Sequence, residues 1–159
     1  MTQLIPHFTD PAVSTRSGED RLFWVGMAAG QEFPRRSGKA VDLHTRYQKA
    51  TASSSNLAGW LQVDSLGVTD GHPATIAAGD KAPVNFGLDK SAVMPTSGGI
   101  VATESDIGKR FDILVDADGI QYIDMSSSAQ GVLQVTDIID DDGLWVGASI
   151  PTDKRYGTL

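Results

Sequence analysis

From residue 107 onward the chain runs in short apolar stretches, each broken by an Asp-Gly step. Phe111, Ile113 and Val115 fall on one face of an extended strand, because strand side chains alternate with period two. Asp116-Ala-Asp-Gly119 ends that run, with glycine free to take the positive φ of a tight hairpin. Ile120 to Met125 returns as a second strand. The pattern then repeats: Val132 to Ile139 runs out, Asp140 to Gly143 turns, and Leu144 to Ile150 runs back. Two hairpins rich in β-branched and aromatic residues predict an antiparallel sheet.

The same punctuation extends back to Leu57. Strands are expected over Gly59–Val63, Ala74–Ala77, Pro83–Phe86, Ala92–Pro95 and Gly99–Ala102. The chain from 57 to 150 thus carries about seven to nine short strands, the spacing of an all-β barrel or sandwich. No long amphipathic helix is visible, and no internal repeat beyond the two similar Asp-Gly hairpins.

Residues 1–56 read differently. Pro6, Pro11 and Pro34 interrupt them, and Leu22-Phe-Trp-Val-Gly-Met is an apolar island between polar breaks. Thr51-Ala-Ser-Ser-Ser-Asn56 has the small-residue composition of a linker. The pattern predicts an extended N-terminal arm, 1–56, on a β-rich body, 57–159. Leu22 to Val25 as an additional strand of the body is the competing reading. Val41 to Ala52 suits a short helix or a strand, and alternation of Val41, Leu43, Thr45 and Tyr47 favours the extended form.

With 159 residues the chain is long enough for one domain with a core and an extension. Its apolar runs are too short to cross a bilayer, and Met1-Thr-Gln-Leu-Ile-Pro-His lacks the basic start and apolar centre of a signal peptide. There is no cysteine, which excludes disulfides and thiolate catalysis. Net charge is −7, unevenly spread. Residues 1–60 hold seven Lys/Arg against five Asp/Glu, a balance of +2, and residues 61–159 hold six against fifteen, a balance of −9. An acidic body argues against nucleic acid as a partner.

Candidate chemistry is sparse. His7, His44 and His72 are scattered, with neither metal spacing nor a Ser-His-Asp arrangement. The acidic turns invite a calcium reading, but Leu114 and Ile138 stand where a calcium loop needs its first ligand. Met125 and Ser149 stand where it needs a closing Glu. Asp-rich hairpin turns account for them without metal. No phosphate loop is present, so neither a cofactor nor a metal is expected. Arg35, Arg36 and Lys39 form a small basic cluster suited to a solvated loop or to an acidic partner surface. Trp145, opposite in facing to Leu144 and Val146, suits either a second core face or a subunit interface.

At Ala77-Ala-Gly-Asp-Lys-Ala-Pro-Val, at Val101-Ala-Thr-Glu-Ser-Asp-Ile-Gly-Lys-Arg-Phe-Asp-Ile and at Gly143-Leu-Trp-Val-Gly-Ala, the chain resembles the head decoration, or capsid cement, proteins of tailed bacteriophages. The resemblance covers roughly residues 57–150. It implies a small β body bound to the outside of an assembled capsid, often as a trimer, with the major capsid protein as partner and an arm reaching over neighbouring subunits. The implied protein is structural and not an enzyme, has no membrane partner, and resides on the virion's outer surface. The expected capsid contacts are Leu22, Phe23, Trp24 and Phe33 as apolar anchors, with Arg35 and Arg36 at the rim. The alternative is a tail or fibre β-domain that binds a receptor or carbohydrate.

Overall fold

The computed structural model describes residues 21–69, 73–87 and 90–156. It is all-β, with two five-stranded antiparallel sheets. The first contains β1 (Leu22–Gly26), β2 (Ala40–Leu43), β3 (Tyr47–Lys49), β4 (Gly59–Leu61) and β5 (Lys81–Asn85), in the order β1-β5-β4-β2-β3. The second contains β6 (Ser91–Pro95), β7 (Arg110–Val115), β8 (Gln121–Asp124), β9 (Leu133–Ile138) and β10 (Trp145–Ser149), in the order β6-β10-β9-β7-β8.

These two orders are the same topology, used twice. In each sheet the first strand pairs with the fifth, the fifth with the fourth, the fourth with the second and the second with the third. A single parallel bridge then rolls each sheet toward closure, Met27 to Tyr47 in the first and Thr96 to Ile123 in the second. The repeat is also written in the chain: Ser53-Ser-Ser-Asn-Leu-Ala-Gly-Trp-Leu-Gln-Val63 leads into and through β4, and Ser126-Ser-Ser-Ala-Gln-Gly-Val-Leu-Gln-Val135 leads into β9. The second strand of each barrel carries a buried aspartate that accepts a hydrogen bond from the middle serine of that run. Ser54 Oγ donates to Asp42 at 2.7 Å and Ser127 Oγ to Asp112 at 2.7 Å.

This corrects the expected division at residue 56. The described part of the predicted arm, 21–56, supplies β1, β2 and β3 of the first barrel, so Leu22 to Val25 is indeed a strand of the body. The Thr51–Asn56 stretch is the loop between β3 and β4, closed by Ser54 N–H to Thr51 O and Thr51 N–H to Ser54 Oγ. Both C-terminal hairpins fall where the alternation placed them. Two other expected strands are irregular. Ile76 is buried without strand pairing, and 97–99 is a 3-10 turn in which Gly98 and Gly99 have φ of 60° and 68°, which ends extended pairing.

Each barrel has its own core. Met27, Phe33, Val41, Leu61, Leu66, Ile76, Ala82 and Val84 fill the first. The second is filled by its own strands and also receives Ala40, Ala50, Leu57 and Trp60 from the first. Gln121, fully buried, rivets the two together. Its side-chain amide donates to Ala40 O and Ala50 O (3.0 and 2.9 Å), and its side-chain oxygen accepts from Ala40 N–H at 2.8 Å. After β10 the chain returns to the first barrel. Leu57 bridges Arg155, and the Tyr156 hydroxyl donates to Asp42 at 2.7 Å.

Candidate interaction surface

Among the described residues Leu22 to Gly26 form a strand ladder with β5 alone, and the other side meets a partner only just beyond, where Met27 bridges Tyr47. Antiparallel pairing alternates residues that exchange hydrogen bonds with residues that face away. Phe86 N–H donates to Arg21 O and Met27 N–H to Asp80 O, so the odd-numbered residues 21 to 27 face β5. Pro83, opposite Trp24, turns its carbonyl the other way, to Gln62 N–H. The N–H and C=O groups of Leu22 and Trp24 therefore point to the open side.

The side chains are open as well. Leu22, Phe23 and Trp24 are 52%, 59% and 64% exposed, three large apolar residues in a row. Phe23 leans on Phe86 (ring centroids 6.0 Å), which in turn meets Tyr47 edge-on at 5.7 Å. Beside this aromatic pair lies a cleft of ≈ 260 Å³ lined by Leu43, Tyr47, Ala58, Phe86 and Tyr156. Burial, with the hydrogen bond to Asp42 second, pushes the Tyr156 hydroxyl up to about 12.

The other expected contact residues part company. Phe33 is fully buried in the first barrel, with the Lys49 ammonium 5.4 Å from its ring centre, so it is a core residue and not a contact residue. Hydrophobic type alone did not distinguish it from Phe23. Arg35 is exposed and pairs with Asp64 at 3.4 Å. Arg36 is the one non-glycine residue with positive φ among the described residues (64°), and its guanidinium lies 5.0 Å from the Trp145 ring centre. Trp145 thus meets a residue of its own chain. The turn bearing both arginines is held by buried Lys39, whose ammonium donates to Ser37 O (2.8 Å) and Pro34 O (3.3 Å).

The cations nearest β1 are ones the sequence reading did not single out. Arg21 precedes it, Lys81 stands opposite Gly26, and an Arg46 guanidinium nitrogen lies 3.6 Å from where a Gly26 Cβ would be. All three are exposed. Only Arg21 adjoins the apolar island in the sequence; Arg46 and Lys81 reach it through sheet pairing, so no local signal marked them.

The acidic turns are internally satisfied. Asp116 accepts from the N–H groups of Asp118 and Ile120 and from the Tyr122 hydroxyl, and Asp140 accepts from Leu144 and Trp145 N–H. Asp112 is enclosed. Burial pushes its carboxyl up, but hydrogen bonds from Ser127, Gly131, Gln130 and Ala129 outweigh burial and hold it below the usual carboxylate range. Among the described residues no group of three or more His, Asp or Glu side chains is placed to hold a metal ion. His44 is exposed, 3.6 Å from Asp42, and His7 and His72 lie outside the described residues.

Comparison with known protein families, with curated proteins and with solved structures finds no match to this chain.

Proposed function

We propose that the protein is a structural component that attaches to the outer surface of an assembled phage capsid and stabilises the shell. The observation that carries this reading is the exposed Leu22-Phe23-Trp24 run on an unpaired strand edge, an apolar surface in want of a partner. The resemblance of residues 57–150 to capsid cement proteins supplies the kind of partner, the major capsid protein, and a trimer as the attached form. Two barrels joined by a shared core and a buried rivet suit a rigid clamp. A ligand that binds only the assembled state stabilises it by mass action, so many modest contacts hold a shell.

The test is sedimentation of purified shells with the protein, followed by heating. Co-sedimentation and a higher temperature of DNA release are expected, both diminished by Trp24→Ala. Shells that neither bind the protein nor gain heat resistance from it would overturn the proposal. Binding to host cells or glycans instead would favour a tail or fibre domain.

A further inference from the structure

We infer that the open edge of β1 is a strand-addition site, which takes an extended apolar segment flanked by acidic residues. The inference deepens the capsid proposal and rests on it only for the segment's owner, the shell protein.

The backbone comes first. Leu22 and Trp24 present two N–H and two C=O groups on the side away from β5, the pattern that an incoming strand completes. Side chains come second. Leu22 and Trp24 lie on one face of that edge and Phe23 on the other, so a strand laid beside them finds apolar cover above and below.

Charge selects the occupant. Arg21 marks one end of the edge and Arg46 the other, with Lys81 behind that end on the paired strand β5. Among the described residues none of the three makes an ion pair. The nearby acids are engaged elsewhere: Asp42 accepts from Ser54 and Tyr156, and Asp80 accepts from Ala77 N–H. Among the described residues the edge is therefore apolar in the middle and cationic at both ends, on a chain of net charge −7.

The same charges disfavour a second copy as occupant. Antiparallel pairing of two β1 edges about Trp24 would set Arg21 of one copy beside Arg46 and Lys81 of the other. Like charges held together at a contact oppose it.

The probe is a synthetic nonapeptide, Glu-Glu-Val-Thr-Val-Thr-Val-Glu-Glu with blocked ends, titrated into the full chain and followed by amide hydrogen exchange. Slowed exchange is expected at the Leu22 and Trp24 amides, with Phe23, already bonded to β5, unchanged. The same peptide with lysine for glutamate should bind about tenfold more weakly at low salt, the sum of a few exposed charge pairs. Trp24→Pro, which removes an outward N–H, should abolish the protection. Trp24→Ala should keep the alternating pattern at reduced affinity, and circular dichroism checks that both variants fold. Absence of the alternation, equal binding of the two peptides, or a peptide-free dimer that seals the same amides would overturn strand addition. If shells bind the protein but the peptide does not, only the edge proposal fails. If the peptide binds but shells do not, only the capsid reading fails.

Discussion

β1 and β6 hold the same place in the two barrels, and their surroundings are opposite. Each is the first strand, each pairs with its barrel's fifth strand, and each leads to a parallel bridge to its barrel's third strand. All five residues of β6 are buried, whereas the first three of β1 are exposed. The difference comes from what lies against them. Ala40, Ala50, Leu57 and Trp60 of the first barrel join the cluster that contains Ala92 and Met94 of β6. Gly38 sits so close to the Met94 methyl and Gln121 that a Cβ there would collide. Nothing among the described residues does the same for Leu22 and Trp24. Topology is set by backbone pairing, but exposure is set by a neighbour, and β6 lies against the other barrel where β1 does not.

Two tryptophans give the largest test of that contrast. Trp60 is 1% exposed and lies between the barrels, and Trp24 is 64% exposed on the edge. Trp60→Ala should cost about 3–5 kcal/mol in denaturant unfolding, the usual cost of emptying an aromatic site in a core. Trp24→Ala should stay within about 0.5 kcal/mol, as surface changes do. Equal losses would mean that β1 is covered in solution.

The paired aspartates come next. Asp112 accepts backbone N–H groups from Gln130 and Gly131 as well as the Ser127 hydroxyl. An amide cannot accept all of these, so Asp112→Asn should cost about 1–3 kcal/mol near neutral pH. Its native pKa lies below the unfolded value. The stability it adds is therefore complete above the ordinary carboxylate range and is lost as pH falls through the lowered native value. Wild type and variant should converge in acid-unfolding curves, and an undiminished gap at low pH would contradict the assignment. Asp42 is bonded chiefly by hydroxyls, from Ser54 and Tyr156, which can turn to donate to an amide oxygen or accept from its NH₂. Asp42→Asn should be the milder change of the two.

A smaller effect probes the C-terminal return to the first barrel. Tyr156→Phe removes a half-exposed hydrogen bond and should cost about 0.5 kcal/mol. Its native pKa of about 12 is above that of an unfolded tyrosine. The stability it supplies is thus whole below the unfolded value and disappears as pH rises toward 12. A difference between wild type and variant that persists past that pH would place the effect elsewhere. Arg36→Gly should be smallest. Relief of the positive φ offsets loss of the stacking on Trp145, leaving a net change within about 0.5 kcal/mol by thermal melting.

The strand periods and Asp-Gly turns were legible in the sequence because both are local. Alternation within Phe111–Val115 and the glycine at 119 need no distant partner to act, and both hairpins formed where they were expected. The apolar island at Leu22–Trp24 was equally visible, and it is exposed. Its status as a strand was not decidable, because β1 exists only by pairing with β5, about 60 residues away along the chain. The same holds for Phe33, whose burial depends on the loops that fold over the first barrel. Gln121 falls within the strand expected over Ile120 to Met125, and only the meeting of two barrels made it a rivet. The duplication was half written in the chain, in the two Ser-Ser-Ser to Leu-Gln-Val runs. Elsewhere the barrels share little sequence, since a pairing order constrains which strands meet far more than which side chains they carry. Tertiary structure alone decided that two equivalent strands would differ, one closed into a core and one left with an open edge, because burial is a property of what packs against a strand.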